Sequence, residues 1–104
     1  MKKIRLFNDY GAYPIWIYDE NNNLIGNDLP DNLLKDKEAV KLRNLISKKY
    51  DNLFIDNDEE FKYIGFQSKT DEEEFIYLAN SFYNLLVCKV GNEFFIENNL
   101  LDVL

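Results

Sequence analysis

Carboxylates are the most chemically loaded side chains in this chain, and they are crowded into one segment. The 104 residues include 19 Asp and Glu against 12 Lys and Arg, with no His and a single Cys, for a net charge of -7. Nine of the acids, Asp51, Asp56, Asp58, Glu59, Glu60 and Asp71 to Glu74, lie between positions 51 and 74 beside only Lys62 and Lys69, so that segment alone carries -7. Two carboxylates held at the right separation can act as general acid and base, as in glycoside hydrolysis. These acids lack the companions that enzyme sites use. There is no His to move a proton, no Ser or Cys in a nucleophile setting and no Gly-rich phosphate loop, since the four Gly stand apart at 11, 26, 65 and 91. The residues therefore read as those of a protein that is not an enzyme.

Metal binding is the next chemistry that clustered acids offer. Asp56-Asn57-Asp58-Glu59-Glu60 places oxygen ligands at alternate positions, and so does Asp19 with Asn21 and Asn23. Neither run supplies the Gly at the sixth position or the closing Glu at the twelfth of a calcium loop. One Cys and no His cannot make an ordinary zinc site. No metal or other cofactor is expected.

What remains is recognition. A block of negative charge attracts a cationic surface over long range and speeds its association. The candidate partner-binding residues are Asp56, Asp58, Glu59 and Glu60, with Tyr63 and Tyr18 as aromatic anchors, because buried Tyr and Trp often dominate interface energetics. The plain alternative is that the acids form a solvated face. Residues 31 to 50 have the opposite character, six basic and three acidic groups for a net +3. Charge is thus divided along the chain.

Composition sets the scale on which these groups must be positioned. Hydrophobic residues make up 46%, including eight Phe and seven Tyr, enough to build a core despite the charge, and the length suits a single domain over residues 1–104. The acidic balance argues against nonspecific binding to nucleic acid or to an anionic membrane. No apolar run approaches the ~20 residues needed to cross a bilayer. Lys2 and Lys3 are followed at once by Arg5, Asn8 and Asp9, which interrupt any signal-peptide core. Cys88 falls in the apolar run Leu85 to Val90 and is expected to be buried and inert, with no second Cys to pair with. A reducing, cytoplasmic setting is expected.

The elements follow from periodicity. Ile4 to Phe7, Tyr13 to Tyr18 and Leu24 to Gly26 read as strands joined by turn chemistry at Asn8 to Gly11 and Asp19 to Asn23. Pro14 has no N–H, so its strand either is an edge there or begins beside it. Trp16 and Tyr18 share one strand face while Tyr13, Ile15 and Ile17 share the other, and core packing is the expected role of Trp16. Ala39, Leu42, Ile46 and Tyr50 recur at helical spacing, capped by Asp36, with Lys37, Lys41, Asn44 and Lys48 forming a basic stripe on another face. Phe61 to Phe66 reads as a strand. Thr70 and Glu73 form a capping box for a second helix that runs to about Val90 and stops at Gly91. Its apolar residues nearly encircle it, which predicts burial between layers or, alternatively, an interface. Glu93 to Glu97 reads as a last strand, followed by an apolar tail. The fold class expected is α+β, a small single domain in which an antiparallel sheet with an N-terminal hairpin or meander packs with two helices.

The run Tyr10-Gly11-Ala12-Tyr13-Pro14-Ile15-Trp16-Ile17-Tyr18-Asp19-Glu20-Asn21, a hairpin of a kind found in such proteins, together with the small acidic α+β makeup, resembles the small immunity proteins of bacterial polymorphic-toxin and contact-dependent growth inhibition systems. The resemblance implies a cytoplasmic protein that binds and neutralises one cognate toxin, often a nuclease, by covering its active site or locking it from a neighbouring surface. Such a toxin would present a basic surface to this chain. Three readings stand beside it: an adaptor or a nucleic-acid-mimicking inhibitor, against which the basic helix stripe counts; a small enzyme working through carboxylates alone; and a homodimeric structural domain associating through its apolar second helix.

Overall fold

The computed structural model describes all 104 residues. Strand β1 (Lys2–Leu6) lies between β2 (Ile15–Tyr18) and β6 (Phe94–Asn98), and β3 (Leu24–Gly26) closes the other edge, giving the order β3-β2-β1-β6. Helix α1 (Lys37–Asp51) follows a short 3-10 turn at Asp31–Leu33, strands β4 (Phe54–Asp56) and β5 (Phe61–Tyr63) form a separate two-stranded sheet, and α2 (Lys69–Val90) leads into β6. The architecture is α+β, with two helices, a four-stranded sheet and a small hairpin. The N-terminal strands make the expected antiparallel meander, with Arg5 opposite Trp16 and Leu6 opposite Ile15. Strand β6 joins β1 in parallel, Ile4 opposite Ile96, so the complete sheet is mixed. This follows from the connection. A strand that returns after two helices re-enters the sheet by a crossover, and a parallel neighbour is what such a crossover permits.

Alternation decides which sheet face is buried. Ile4, Leu6 and Ile15 are fully buried on the helix side, while Lys3, Arg5, Trp16 and Tyr18 take the other face. Pro14 immediately precedes β2, so its missing N–H costs the ladder nothing. Helix α1 contributes Ala39, Leu42 and Ile46 to the core and α2 contributes Phe75, Ala79, Phe82, Leu86 and Val90, each set recurring every three or four residues. Full burial of one Phe or Leu of this group stabilises the fold by ~1.5–3 kcal/mol. The rest of α2 is wetter than its composition predicts: Tyr77, Val87 and Cys88 are exposed. The buried thiol expected from the apolar run is thus corrected. The core seam of α2 passes through Leu86 and Val90, and Cys88, two residues from each, lies off it.

The helix termini are closed by side chains. The Asp36 carboxylate accepts from the Ala39 N–H at 2.9 Å, as expected, and also pairs with Lys89 of α2 at 3.5 Å. Those contacts, the amide bond first, hold its pKa below the usual carboxylate value. At α2 the expected Thr70 cap is corrected. Ser68 is the N-cap, its hydroxyl accepting from Asp71 N at 3.1 Å, and Thr70 lies inside the first turn. Gly91 does cap the C-terminus of α2, but with right-handed backbone, φ -63°. The apolar tail is a 3-10 turn, Leu100–Val103, whose Leu100 is completely buried.

Candidate functional site

The acidic segment is divided among three elements: Asp51 ends α1, Asp56, Asp58, Glu59 and Glu60 lie in the β4–β5 hairpin, and Asp71 to Glu74 open α2. The hairpin strands pair Phe54 with Tyr63, Ile55 with Lys62 and Asp56 with Phe61, so period-two alternation sets Phe54, Asp56, Phe61 and Tyr63 on one face. The turn at Asn57–Glu60 is built by one residue. Asn57 accepts the Glu59 and Glu60 N–H groups through Oδ1, at 2.9 and 3.0 Å, and its own N–H donates to the Glu60 carbonyl. The hairpin closes on the Leu53 carbonyl, which accepts both Ile64 N–H and Gly65 N–H, and Gly65 takes the left-handed φ of +76° that the second bond requires.

Aromatic rings stiffen this small sheet, which has too few strands to be stable alone. Phe54 stacks on Phe61 with centroids 5.3 Å apart and meets Tyr63 edge-on at 5.3 Å. Tyr10, reaching over from the loop after β1, packs edge-on against both Phe54 and Phe61, and Tyr50 of α1 does the same to Phe54 from beneath. Such pairs each add ~0.5–1.5 kcal/mol beyond the area they bury. Two polar contacts fasten the same loop: the Tyr10 hydroxyl donates to Asp56 Oδ2 at 3.0 Å, and the Gly11 N–H donates to Asp51 Oδ1 at 3.0 Å. The bond to Asp56, then local burial and the neighbouring carboxylates, raise the Tyr10 pKa above 10.0. Tyr50 is raised as well, chiefly by burial.

Five of the six residues singled out in the sequence come together here. Asp56, Asp58, Glu59 and Glu60 are all exposed at or beside the turn, and none of the chain's five ion pairs uses them. Tyr63 is half exposed on the strand below. Tyr18 is elsewhere, on the open face of the four-stranded sheet opposite Lys3, whose ammonium lies 5.1 Å from its ring. It therefore stands apart from the other five residues, because strand pairing ties it to a different sheet. The further acids Glu72 and Glu74 are engaged by Lys69 and Lys49.

Phe61 is the principal residue the sequence reading passed over: it is 57% exposed between the turn carboxylates and Tyr63. Tyr10 and Phe54 complete the aromatic face. The signal was present in the spacing, since Phe54 and Asp56, and Phe61 and Tyr63, are each two apart on either side of an Asn-containing turn. The Asp19 turn is one residue longer than the Asn57 turn but is likewise built around one side chain. Asp19 Oδ1 accepts from the N–H groups of Asn21 and Asn23, both at 2.9 Å, and these bonds hold its pKa low.

Trp16 also departs from its expected core role. It stands half-buried on the open sheet face, stacked on Phe7 at 4.8 Å, with its indole N–H donating to the Phe7 carbonyl. The basic stripe of α1 is as expected, Lys37, Lys41, Asn44 and Lys48 all being exposed. No helix is long and apolar enough to cross a membrane. No protein-family model, curated protein or solved structure matches this chain.

Proposed function

We propose that this protein is a binding domain that neutralises a cationic partner protein, and that the β4–β5 hairpin is its docking element. The observation that carries the reading is the joint display of four carboxylates outside every ion pair and an exposed aromatic pair, Phe61 and Tyr63, on a hairpin braced by Tyr10 and Tyr50. Interfaces gain affinity from aromatic anchors and association rate from complementary charge, and a braced hairpin loses little conformational freedom on binding. Together with the resemblance to small immunity proteins, this makes a bacterial toxin the partner of choice. In a nuclease the surface that receives phosphates is cationic, and Asp58, Glu59 and Glu60 can occupy it in their place.

The experiment is paired expression. A cationic protein captured with this chain is produced in a test bacterium alone, with the wild-type chain, and with the Asp58→Lys/Glu59→Lys variant. Growth arrest by the partner alone, relief by the wild type and weaker relief by the folded variant is the expected result. Equal relief by both chains would remove the hairpin from the account, and a harmless partner would remove the toxin.

A further inference from the structure

The four-stranded sheet ends in two different edges. Strand β3 is three residues long and its pairing to β2 shifts register between Ile17 and Tyr18. Strand β6 has five residues, Phe-Phe-Ile-Glu-Asn, in unbroken register with β1 and without Lys, Pro or Gly. Edge strands in soluble proteins are commonly blunted by shortness, a bulge, Pro or Lys. The β3 edge has the first two of these devices and β6 has none.

The hydrogen-bond pattern shows what β6 offers. Asn99 donates its N–H to the Leu6 carbonyl at 2.7 Å, continuing the parallel ladder, and backbone direction alternates along a strand. Phe95 and Glu97 thus turn their backbone groups to β1, while Phe94, Ile96 and Asn98 turn theirs to the free edge, where no other strand pairs with them. On the face away from the helices the same edge displays Phe95 and Glu97, Phe95 being 61% exposed, and the exposed Glu93 stands in the turn that leads into the strand, its N–H donating to the Val90 carbonyl. Glu97 is bound by Arg5 at 3.0 Å, and Glu93 has no cationic partner.

We infer that β6 is a docking edge for an extended segment of a partner protein whose side chains alternate basic, apolar and basic. Backbone pairing with Phe94, Ile96 and Asn98 supplies affinity, and the acid–aromatic–acid row supplies selectivity. Charge and polarity argue against a second copy of this chain. Antiparallel self-pairing centred on Phe95 opposes Glu93 to Glu97 and centring on Glu97 opposes that residue to itself, while centring on Ile96 opposes no like charges but sets each apolar Phe95 against a Glu97 carboxylate. Like charges directly opposite are destabilising, whereas a Lys or Arg opposite Glu93 is favourable. The surface is distinct from the β4–β5 hairpin and stands whether or not that hairpin meets a toxin.

The test is an amide NMR titration of the full chain with a capped heptapeptide alternating threonine with lysine, valine and lysine. Two controls carry glutamate in place of lysine, or N-methyl groups on alternate amides. Saturable shifts of Phe94, Ile96 and Asn98 at millimolar lysine peptide, absent with both controls, are expected. Glu93→Lys, an exposed substitution, should weaken that peptide by about three- to five-fold and improve the glutamate peptide. No shift at β6, shifts confined to the acidic hairpin, or protected β6 amides with a dimer mass before peptide is added would each overturn the proposal.

Discussion

Tyr10 shows how much of the hairpin rests on single side chains. Its hydroxyl donates to Asp56 while its ring wedges against Phe54 and Phe61, so one residue couples the β1–β2 loop to the acidic turn. Because the folded pKa lies above 10.0, the stabilisation this phenol provides is complete below that value and is lost as pH rises through the folded pKa. Absorbance titration should show two tyrosines, Tyr10 and Tyr50, ionising late, with faster hydrogen exchange at hairpin amides as they do. Tyr10→Phe should remove one of the two late ionisations while leaving the core intact; an unchanged titration would refute the clasp. Asp36 works in the opposite direction: its pKa is depressed by the Ala39 amide and Lys89, so its contribution is present above the ordinary value of 3.8 and disappears only as pH falls through the lower folded one. Cys88 is exposed and should react with a disulfide reagent in the folded protein; reaction only after denaturation would contradict that placement. These details were unequally visible in the sequence. The Asp36 cap was legible because capping is local, whereas the Tyr10 bond spans 46 positions and depends on a loop reaching across the fold.

At the level of elements, the α2 terminus offers a sharp comparison. Ser68→Ala removes the cap and should cost ~1 kcal/mol, while Thr70→Ala changes an exposed residue within the helix and should stay within ~0.5 kcal/mol. Denaturant unfolding of the two variants checks this, and the reverse order would restore the capping box. Phe82→Ala, at the buried centre of α2, should cost ~3–5 kcal/mol. Local periodicity made α1, α2 and the N-terminal meander legible, since three-to-four-residue and two-residue spacings state directly which residues share a face. It could not show that β6 returns parallel to β1, because Ile4 and Ile96 are brought together only by the whole intervening chain. It misplaced Cys88 for a related reason: an apolar run names hydrophobic residues, but on a helix only the seam at Phe82, Leu86 and Val90 is buried.

On the scale of the whole molecule, charge is arranged rather than merely abundant. The α1 stripe exposes Lys37, Lys41 and Lys48, the hairpin exposes Asp56, Asp58, Glu59 and Glu60, and the chain's five ion pairs leave both groups free. The acidic patch itself was legible because its residues are adjacent in sequence, while its aromatic floor was not, because Tyr10, Phe54 and Phe61 converge from separate elements. A steering surface of this kind acts mainly on the association rate and is screened by salt. The most direct test is therefore capture of partners by the tagged chain from lysate of its source cells at low and high salt, followed by association kinetics of the recovered protein with wild type and with Asp58→Lys/Glu59→Lys. One cationic protein at one-to-one ratio, binding faster at low salt and losing about ten-fold or more in association rate with the charge-reversed hairpin, is the result expected from electrostatic steering. A partner whose association ignores both salt and the reversed charges would contradict the acidic hairpin as the docking surface.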